Sequence, residues 1–462
     1  MTRSLKGFAA ALAALSIGNA FADPPPAAIP GSPVPPATSA PVVETVIESA
    51  PAEAAAPNPD AGDLSERARL TGDWGGARLG LMERGLNVDV FATHFYQGVV
   101  AGGKEQGWRS GAKLDYLIKT DGGKMGLMKG SFLDLHAETR LGDSINPISG
   151  VFVPANTSLL FPAGEREITA LTGVKYTQAL SESFAVFAGK INLLDELAIR
   201  YSPGPVTNLP GLAGFMNTGL VFNPILVRTL PYSGFAAGAA WLVDGKPFFT
   251  LTAFDPQERA TIGLEDLYAR GVTLVADMQI RPCFFGKPGI YQAGAVYGTA
   301  DYRTLDRSAY LGPALQEFLV GTAAAPVESG SWALYANYYQ AFWVDPNDEH
   351  RTWGFFGQYG LSDGNPNPIR YVSNWGVGGR SPLRCRKLDV FGIGTVYTGL
   401  SDSFKNLAPN LAPRRNEYGI EMFYNYAVTP WCRLTGDLQI VRPSVETRDT
   451  TIMPGVRVQV IF

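Results

Sequence analysis

The feature that most constrains the fold is an alternation of apolar and polar side chains with a period of two residues. In the last eleven residues, Val456, Val458 and Val460 alternate with Arg457 and Gln459, and an aromatic residue ends the sequence. This period predicts a β-strand with one apolar face. After residue 22 the sequence has no apolar run of about 18 residues, the minimum for a membrane-spanning helix. Any membrane crossing by this chain therefore requires strands that close into a barrel.

The same alternation recurs in earlier segments, where the polar face carries ionisable groups. Between residues 130 and 141, four such groups share one face, and Leu133, Leu135 and Leu141 occupy the other. A barrel with a polar lumen and an apolar outer wall accounts for this pattern better than a solvated sheet does. The predicted lumen-facing residues are Lys113, Asp115, Asp134, His136, Glu138, Arg140, Lys190, Asn192, Glu421, Asn425, Arg433, Asp437, Gln439 and Arg457.

Sixteen segments show strand patterns, and the connections between them alternate between long and short. Bacterial barrels place short turns in the periplasm and long loops outside. The predicted fold class is therefore all-β, a transmembrane antiparallel β-barrel of about 16 strands in residues 86–462, with both ends on the periplasmic side. The predicted strands are 86–100, 109–120, 130–141, 168–179, 184–192, 235–243, 247–256, 272–281, 290–299, 331–343, 352–362, 371–379, 388–397, 416–427, 432–441 and 452–462.

The N-terminal region has the pattern of an exported protein. Residues 1–22 predict a cleaved signal peptide, because Arg3 and Lys6 precede an apolar run and an Ala20-Phe21-Ala22 site follows it. Residues 23–63 are rich in proline and alanine and predict a disordered periplasmic spacer. Residues 64–85 predict a short periplasmic helix that leads into the first strand. The expected location is the bacterial outer membrane, in contact with its lipid.

Composition and motifs exclude several other functions. The net charge of -4 provides no basic surface for nucleic acid. His94, His136 and His350 do not have metal-ligand spacing, and no G-x-S-x-G motif is present, so we predict no metal site, no cofactor and no enzyme. An enzyme on a barrel wall is a weaker alternative. A soluble β-propeller or lectin would require repeats of about forty residues, and none is seen.

Five ordered blocks of sequence have the form of family motifs. The first is Leu70-Thr71-Gly72-Asp73-Trp74-Gly75-Gly76-Ala77-Arg78, followed by Gly85. The others are Gly189-Lys190-Ile191-Asn192, Gly360-Leu361-Ser362-Asp363-Gly364-Asn365-Pro366, Gly379-Arg380-Ser381-Pro382, and Glu421 through Tyr424-Asn425 to Thr429-Pro430-Trp431. Together they resemble the carbohydrate-selective porins of the OprB family, and the resemblance covers roughly residues 65–462. It implies a monomeric or homotrimeric outer-membrane channel that passes glucose-like monosaccharides by passive, saturable diffusion, and a general diffusion pore for small solutes is the alternative.

The constriction is expected where the long loop 193–234 adjoins the third to fifth strands. We predict that this loop folds into the lumen, with an external flap as the alternative. Arg140, Glu138, Lys190 and Asn192 are the predicted constriction residues, because mixed charges exchange hydrogen bonds readily with sugar hydroxyls. For each of these residues, the alternative role is to hydrate the lumen or to brace a loop.

The three cysteines, Cys283, Cys385 and Cys432, lie at or beside predicted periplasmic turns. Cys385 and Cys432 fall in neighbouring turns and could form a disulfide in the oxidising periplasm. Free thiols are equally compatible with the sequence.

Overall fold

The computed structural model describes residues 58–196, 214–310, 325–410 and 412–462. The predicted signal peptide and most of the predicted spacer lie outside these ranges. Sixteen antiparallel strands form a single sheet, and a two-residue strand, Cys283–Phe284, extends one of its hairpins. The sixteen strands are β1 Leu86–Val99, β2 Gly107–Asp121, β3 Ser131–Gly142, β4 Ile168–Ser181, β5 Phe184–Asn192, β6 Ser233–Val243, β7 Lys246–Phe254, β8 Thr273–Ile280, β9 Lys287–Arg303, β10 Val327–Asp345, β11 Asp348–Ser362, β12 Ile369–Arg380, β13 Val390–Leu400, β14 Glu417–Ala427, β15 Cys432–Arg442 and β16 Thr451–Ile461.

The sheet closes on itself because its first and last strands pair. β1 and β16 run antiparallel, with Phe91 opposite Ile461 and Gln97 opposite Gly455. Every other strand pairs with its neighbours in sequence, so the barrel has an up-and-down topology. Closure leaves no strand edge facing lipid, where no water is available to satisfy the backbone groups. The predicted fold class and the predicted number of strands are both confirmed.

Side chains alternate between the two faces of the wall, as the sequence pattern predicts. In β7, Thr250 and Thr252 point inward and are buried, whereas the intervening Leu251 points outward and is 48% exposed. The outer wall also carries tryptophans such as Trp241 and Trp375. An apolar exterior with inward-facing polar groups is what a barrel in a bilayer requires.

The connections alternate in length around the barrel. Short turns join β4 to β5, β6 to β7 and β10 to β11, whereas long loops follow β3, β5, β7 and β9. The predicted two-residue turn at Asp244 and Gly245 is present, and both residues have positive φ (51° and 67°). Two such residues form the hairpin turn whose twist matches that of the flanking strands.

The helices are short and lie in the connections or before the barrel. α1 spans Ala77–Glu83, α2 Asn146–Ser149, α3 Thr218–Val221 and α4 Asp402–Asn406, and 3₁₀-helices cover Trp74–Gly76, Pro224–Arg228 and Arg307–Tyr310. Within the described residues, no helix has the length and apolar character needed to cross a membrane. Of the segment 64–85, in which the sequence predicts a helix, only the last part is helical.

Residues 58–73 pack against the strand pair that closes the barrel. The backbone N–H of Leu70 donates to the carbonyl of Ile461 in β16, at 2.8 Å. The guanidinium of Arg69 bridges Asp60 (2.8 Å) and Asp89 of β1 (2.6 Å). The N-terminal segment therefore contacts both strands of the closing pair.

We predict that a charge on the outer wall destabilises the barrel more than the same charge on the inner wall. Leu251→Arg places a cation near the middle of lipid-facing β7 and should lower the free energy of unfolding by about 2–4 kcal/mol. The matched control, Thr252→Arg, places it on the inner face. Urea unfolding in lipid vesicles measures both variants, and equal losses would contradict the assigned orientation of β7.

We also predict acid-sensitive stability from Asp389, which lies in the turn before β13. Burial opposes its charge, but hydrogen bonds from Arg386, Tyr424 and the backbone of Ala427 hold its pKa below the ordinary 3.8. Its stabilising contribution is therefore complete above about pH 4 to 5 and is lost as the pH falls through the lowered pKa. Asp389→Asn should flatten the acid end of a thermal-stability profile, whereas Asp402→Asn, at a 94% exposed side chain, should leave it unchanged.

Candidate functional site

Two loops lie against the inner wall of the barrel. The β3–β4 loop (143–167) is held by Gln97 of β1 and Gln439 of β15, whose side chains bond Asn156 (2.5 Å) and the carbonyl of Ala155 (2.8 Å). The described part of the β5–β6 loop, residues 193–196 and 214–232, also contacts the inner wall. The prediction that the β5–β6 loop folds inward is confirmed for these residues. Sequence reasoning did not predict that the β3–β4 loop does the same.

Glu421 anchors the β5–β6 loop. Its carboxylate accepts hydrogen bonds from the backbone N–H groups of Met216 (2.5 Å) and Asn217 (2.9 Å), and it is almost completely buried. Arg457 of β16 donates to the carbonyl of Gly214 at 2.5 Å. Glu421 and Arg457, which were predicted to line the pore, therefore bind loop backbone in this structure.

Glu417 anchors the β3–β4 loop in the same way. Its carboxylate accepts from the backbone N–H groups of Phe152 (2.6 Å) and Val153 (2.8 Å), and also from Ser444. Glu417 was not among the predicted residues. Its position four residues before Glu421 on the same face of β14 was the available signal.

Apolar contacts seal the β5–β6 loop against the wall. Phe215 meets the ring of Phe423 of β14 at 4.9 Å in an edge-on arrangement and packs on Phe356 of β11. Leu220 and Ile225 of the same loop are fully buried. Residues 214–232 of the loop thus form part of the lumen wall, which narrows the space left for solutes.

Five predicted residues form one buried charged cluster on β2, β3 and β5. Lys113 forms an ion pair with Glu138 and lies 3.7 Å from Asp115. His136 Nε2 lies 3.3 Å from Asp115 Oδ1. The amide of Asn192 donates to Glu138 at 3.1 Å. The side chains of this cluster are nearly inaccessible to solvent. They therefore support the lumen wall from below its accessible surface.

Two residues of the β5–β6 loop complete the cluster. The hydroxyl of Tyr232 donates to Glu138 at 2.5 Å, and burial raises the pKa of this phenol well above its ordinary value. The carboxylate of Asp195 accepts from His136 Nδ1 at 2.8 Å. The carboxylate of Glu258 accepts a hydrogen bond from the backbone N–H of Tyr232 at 2.7 Å, and burial raises the pKa of this carboxyl group.

Arg140 and Lys190 hold loop carbonyls. Arg140 donates to the carbonyls of Pro162 (3.0 Å) and Glu165 (2.6 Å) in the β3–β4 loop. Lys190 donates to the carbonyl of Ala260 at 3.1 Å. Arg140 thus binds the inserted β3–β4 loop, whereas Lys190 binds the β7–β8 loop. The contribution of both residues to a constriction stays a prediction.

The remaining predicted residues are not members of the buried cluster on β2, β3 and β5. Asp134 is half-buried opposite Lys175 of β4. Asn425 accepts from Arg433 at 3.3 Å. Asp437 accepts from Gln439 at 3.4 Å and lies close enough to Arg457 for charge attraction.

The lumen contains an opening beside β4–β8, and its empty space, which is continuous with open solvent, measures ≈ 790 Å³. Its polar lining includes Lys175 and Glu196, which pair at 2.5 Å, and Asp277, which accepts from Gln292 at 2.9 Å. Sequence reasoning missed these residues because Lys175 and Asp277 are isolated charges on their strands and Glu196 lies in a loop. The rest of the lining is Thr177, Ala185, Phe187, Ile191, Leu193, Leu226, Leu230, Ala240, Leu242, Pro247, Thr250, Thr252, Phe254, Val275 and Tyr335.

All three cysteines are free thiols in the structure. Cys283 and Cys385 are exposed, and Cys432 is partly buried at the start of β15. The structure thus has the free-thiol alternative rather than a bond between Cys385 and Cys432.

A closed sixteen-stranded barrel with an apolar exterior, a charged interior and loops folded into the lumen is a porin. The family model described as "Carbohydrate-selective porin, OprB family" matches residues 108–462. The chain therefore belongs to the OprB family of carbohydrate-selective porins, which confirms the resemblance seen in the sequence.

Solved structures have the same fold. The high-pH structure of Pseudomonas putida OprB covers 87% of this chain and 100% of its own, with 19% identity and a TM-score of 0.74. The low-pH structure of the same protein covers 86% and 99%, with 17% identity and a TM-score of 0.54. No curated protein sequence matches the chain.

We predict that loss of the Glu421 anchor releases the β5–β6 loop. In Glu421→Gln, one of the two bonded backbone N–H groups loses its acceptor, at a cost of about 1–3 kcal/mol. The thermal midpoint should fall, and single-channel conductance should increase or fluctuate. Glu182→Gln, in an exposed turn, is the control. Unchanged conductance in Glu421→Gln would show that the anchor does not limit the pore.

Proposed function

We propose that the protein passes glucose-like monosaccharides across the outer membrane by passive, saturable diffusion through the opening beside β4–β8. Its family supports carbohydrate transport through a channel. The observation that carries the proposal is the lining of this opening, where charged pairs, hydroxyls and aromatic rings occur together.

The lining matches the two kinds of surface that a sugar ring presents. Lys175 supplies donors for sugar hydroxyls, and Glu196 and Asp277 supply acceptors. Phe187 and Tyr335 supply apolar faces for the C–H side of the ring. Transport then depends on binding that is strong enough to favour capture and weak enough to allow release.

The inserted loops are what would make the pore selective. A sixteen-stranded barrel without them leaves an aqueous channel that is wide enough for many solutes. The β3–β4 and β5–β6 loops reduce this width, and Arg140, Glu138, Lys190 and Asn192 stand behind them as the proposed constriction residues. A general diffusion pore is the alternative function, and a barrel enzyme is a weaker one.

Two further properties complete the proposal. Export would follow cleavage after Ala22, so the mature protein would begin at Asp23, and N-terminal mass spectrometry of the membrane-extracted protein tests this. The apolar outer wall is compatible with a monomer in lipid and with a homotrimer. Sedimentation of the detergent-solubilised protein separates these two states.

Liposome swelling tests the transport function. Vesicles containing the purified protein should swell fastest in glucose, more slowly in a disaccharide, and slowly in an uncharged amino acid of similar size to glucose. Equal rates would reduce the function to general diffusion. An absence of swelling would contradict the channel function altogether.

We predict that the Lys175–Glu196 pair contributes to sugar affinity. Lys175→Met removes donors from the opening and should raise the glucose concentration for half-maximal flux by about two- to tenfold. Lys246→Met, at an exposed position next to the β6–β7 turn, is the matched control. Flux measured over a range of glucose concentrations gives this value, and identical values for both variants would place the sugar elsewhere in the lumen.

A further inference from the structure

The buried cluster on β2, β3 and β5, together with Asp195 of the β5–β6 loop, has more negative than positive charge. Three carboxylates, Asp115, Glu138 and Asp195, surround His136. Among the described residues, Lys113 is the only lysine or arginine within 4 Å of their carboxylate oxygens. The three carboxylates and Lys113 carry three negative charges and one positive, a formal sum of -2 before any charge on the imidazole. Asp115 and Glu138 are buried and Asp195 is partly exposed, so this excess favours an additional cation, which is either a proton on His136 or a metal ion.

The hydrogen bonds of His136 define where that cation fits. Asp195 accepts from His136 Nδ1, which places the proton of a neutral imidazole on Nδ1. Nε2 then presents a lone pair toward Asp115 Oδ1, which lies only 3.3 Å away and is itself an acceptor. Two acceptors at this distance need either a second proton on the imidazole or a metal ion between them.

The geometry of these atoms suits a metal ion. Single ligand atoms from Asp115, His136 and Glu138 all lie within 4.8 Å of one another, and Nε2 is 3.9 Å from Glu138 Oε1. A four-coordinate zinc ion with bonds of about 2.0–2.2 Å brings its ligand atoms to similar separations. In addition, Asp115 Oδ2 is buried and has no hydrogen-bond partner among the described residues.

The contact from Asp195 has the form of a supporting interaction in metal sites. A histidine that binds a metal usually donates its other N–H to a carboxylate, which orients the ring and raises its basicity. Asp195 makes this bond from the first residues of the β5–β6 loop, outside the strands. Its side chain is 35% exposed, and its neighbour Glu196 lines the lumen opening. Asp195 is therefore the most accessible of the three carboxylates.

We propose that Asp115, His136 and Glu138 form a binding site for one divalent transition-metal ion of the zinc type, with Asp195 as the residue that positions His136. The ammonium group of Lys113 competes with the metal ion for these carboxylates, because it pairs with Glu138 and approaches Asp115. Metal binding would link β2, β3 and the base of the β5–β6 loop. The site is independent of the sugar-transport proposal, since its test measures binding and not flux.

Titration of the full-length protein in detergent with ZnCl2 tests the site. Calorimetry should detect one zinc ion per chain, and the thermal midpoint should rise with zinc concentration. Lys113→Met removes the competing ammonium and should bind zinc more tightly. His136→Asn should lose the bound ion, whereas His94→Asn, at an exposed histidine of β1, should retain it.

A second variant keeps the test valid if His136→Asn fails to fold. Asp195→Asn lies outside the strands and should weaken zinc binding by about 10- to 100-fold while the barrel remains heat-modifiable on gels. The proposal is overturned if neither the unmodified protein nor Lys113→Met binds zinc, because a proton then supplies the missing charge. It is also overturned if zinc binding persists in both His136→Asn and Asp195→Asn.

Discussion

The requirement that every backbone N–H and C=O in lipid find a partner within the protein underlies the whole structure. The β1–β16 pair meets it by closing the sheet. Closure with sixteen strands leaves a lumen too wide for its own side chains to fill. Two inserted loops occupy part of this wide lumen. Their backbone N–H and C=O groups also need hydrogen-bond partners. The buried Glu417 and Glu421 provide hydrogen-bond acceptors for these backbone groups. These two carboxylates of the inner wall therefore bind loop backbone and not a solute.

Side chains of both charge signs contribute to this task. On β14, Glu417 and Glu421 accept from loop N–H groups, whereas on β3 and β5, Arg140 and Lys190 donate to loop carbonyls. A carboxylate paired with N–H groups and a cation paired with carbonyls each satisfy buried backbone without water. Charged groups of the lumen therefore divide into those that hold loops and those, such as Lys175, that face the opening.

The strand pattern was sufficient to predict the barrel, because a period of two residues is a local property of the sequence. The same two-residue alternation predicted which side chains of a strand point into the barrel, and the buried Glu138 and Asp437 are examples. The loop contacts could not be predicted in this way. Met216 and Glu421 are 205 residues apart, and Phe152 and Glu417 are 265 apart, so no local pattern links them. Asp115, His136 and Glu138 were predicted to face the lumen, but their contact with one another was not, because it forms across the β2–β3 strand pair and not at a recognisable linear spacing.

The N-terminal segment has a consequence for the order in which the molecule is assembled. Its contacts are divided between Asp89 on the first strand and Ile461 on the last. Neither strand alone offers the complete docking surface, so residues 58–73 can settle only after the ends of the sheet have met. Docking of this segment thus requires a closed barrel, and a chain whose sheet is still open leaves these residues without their full set of contacts.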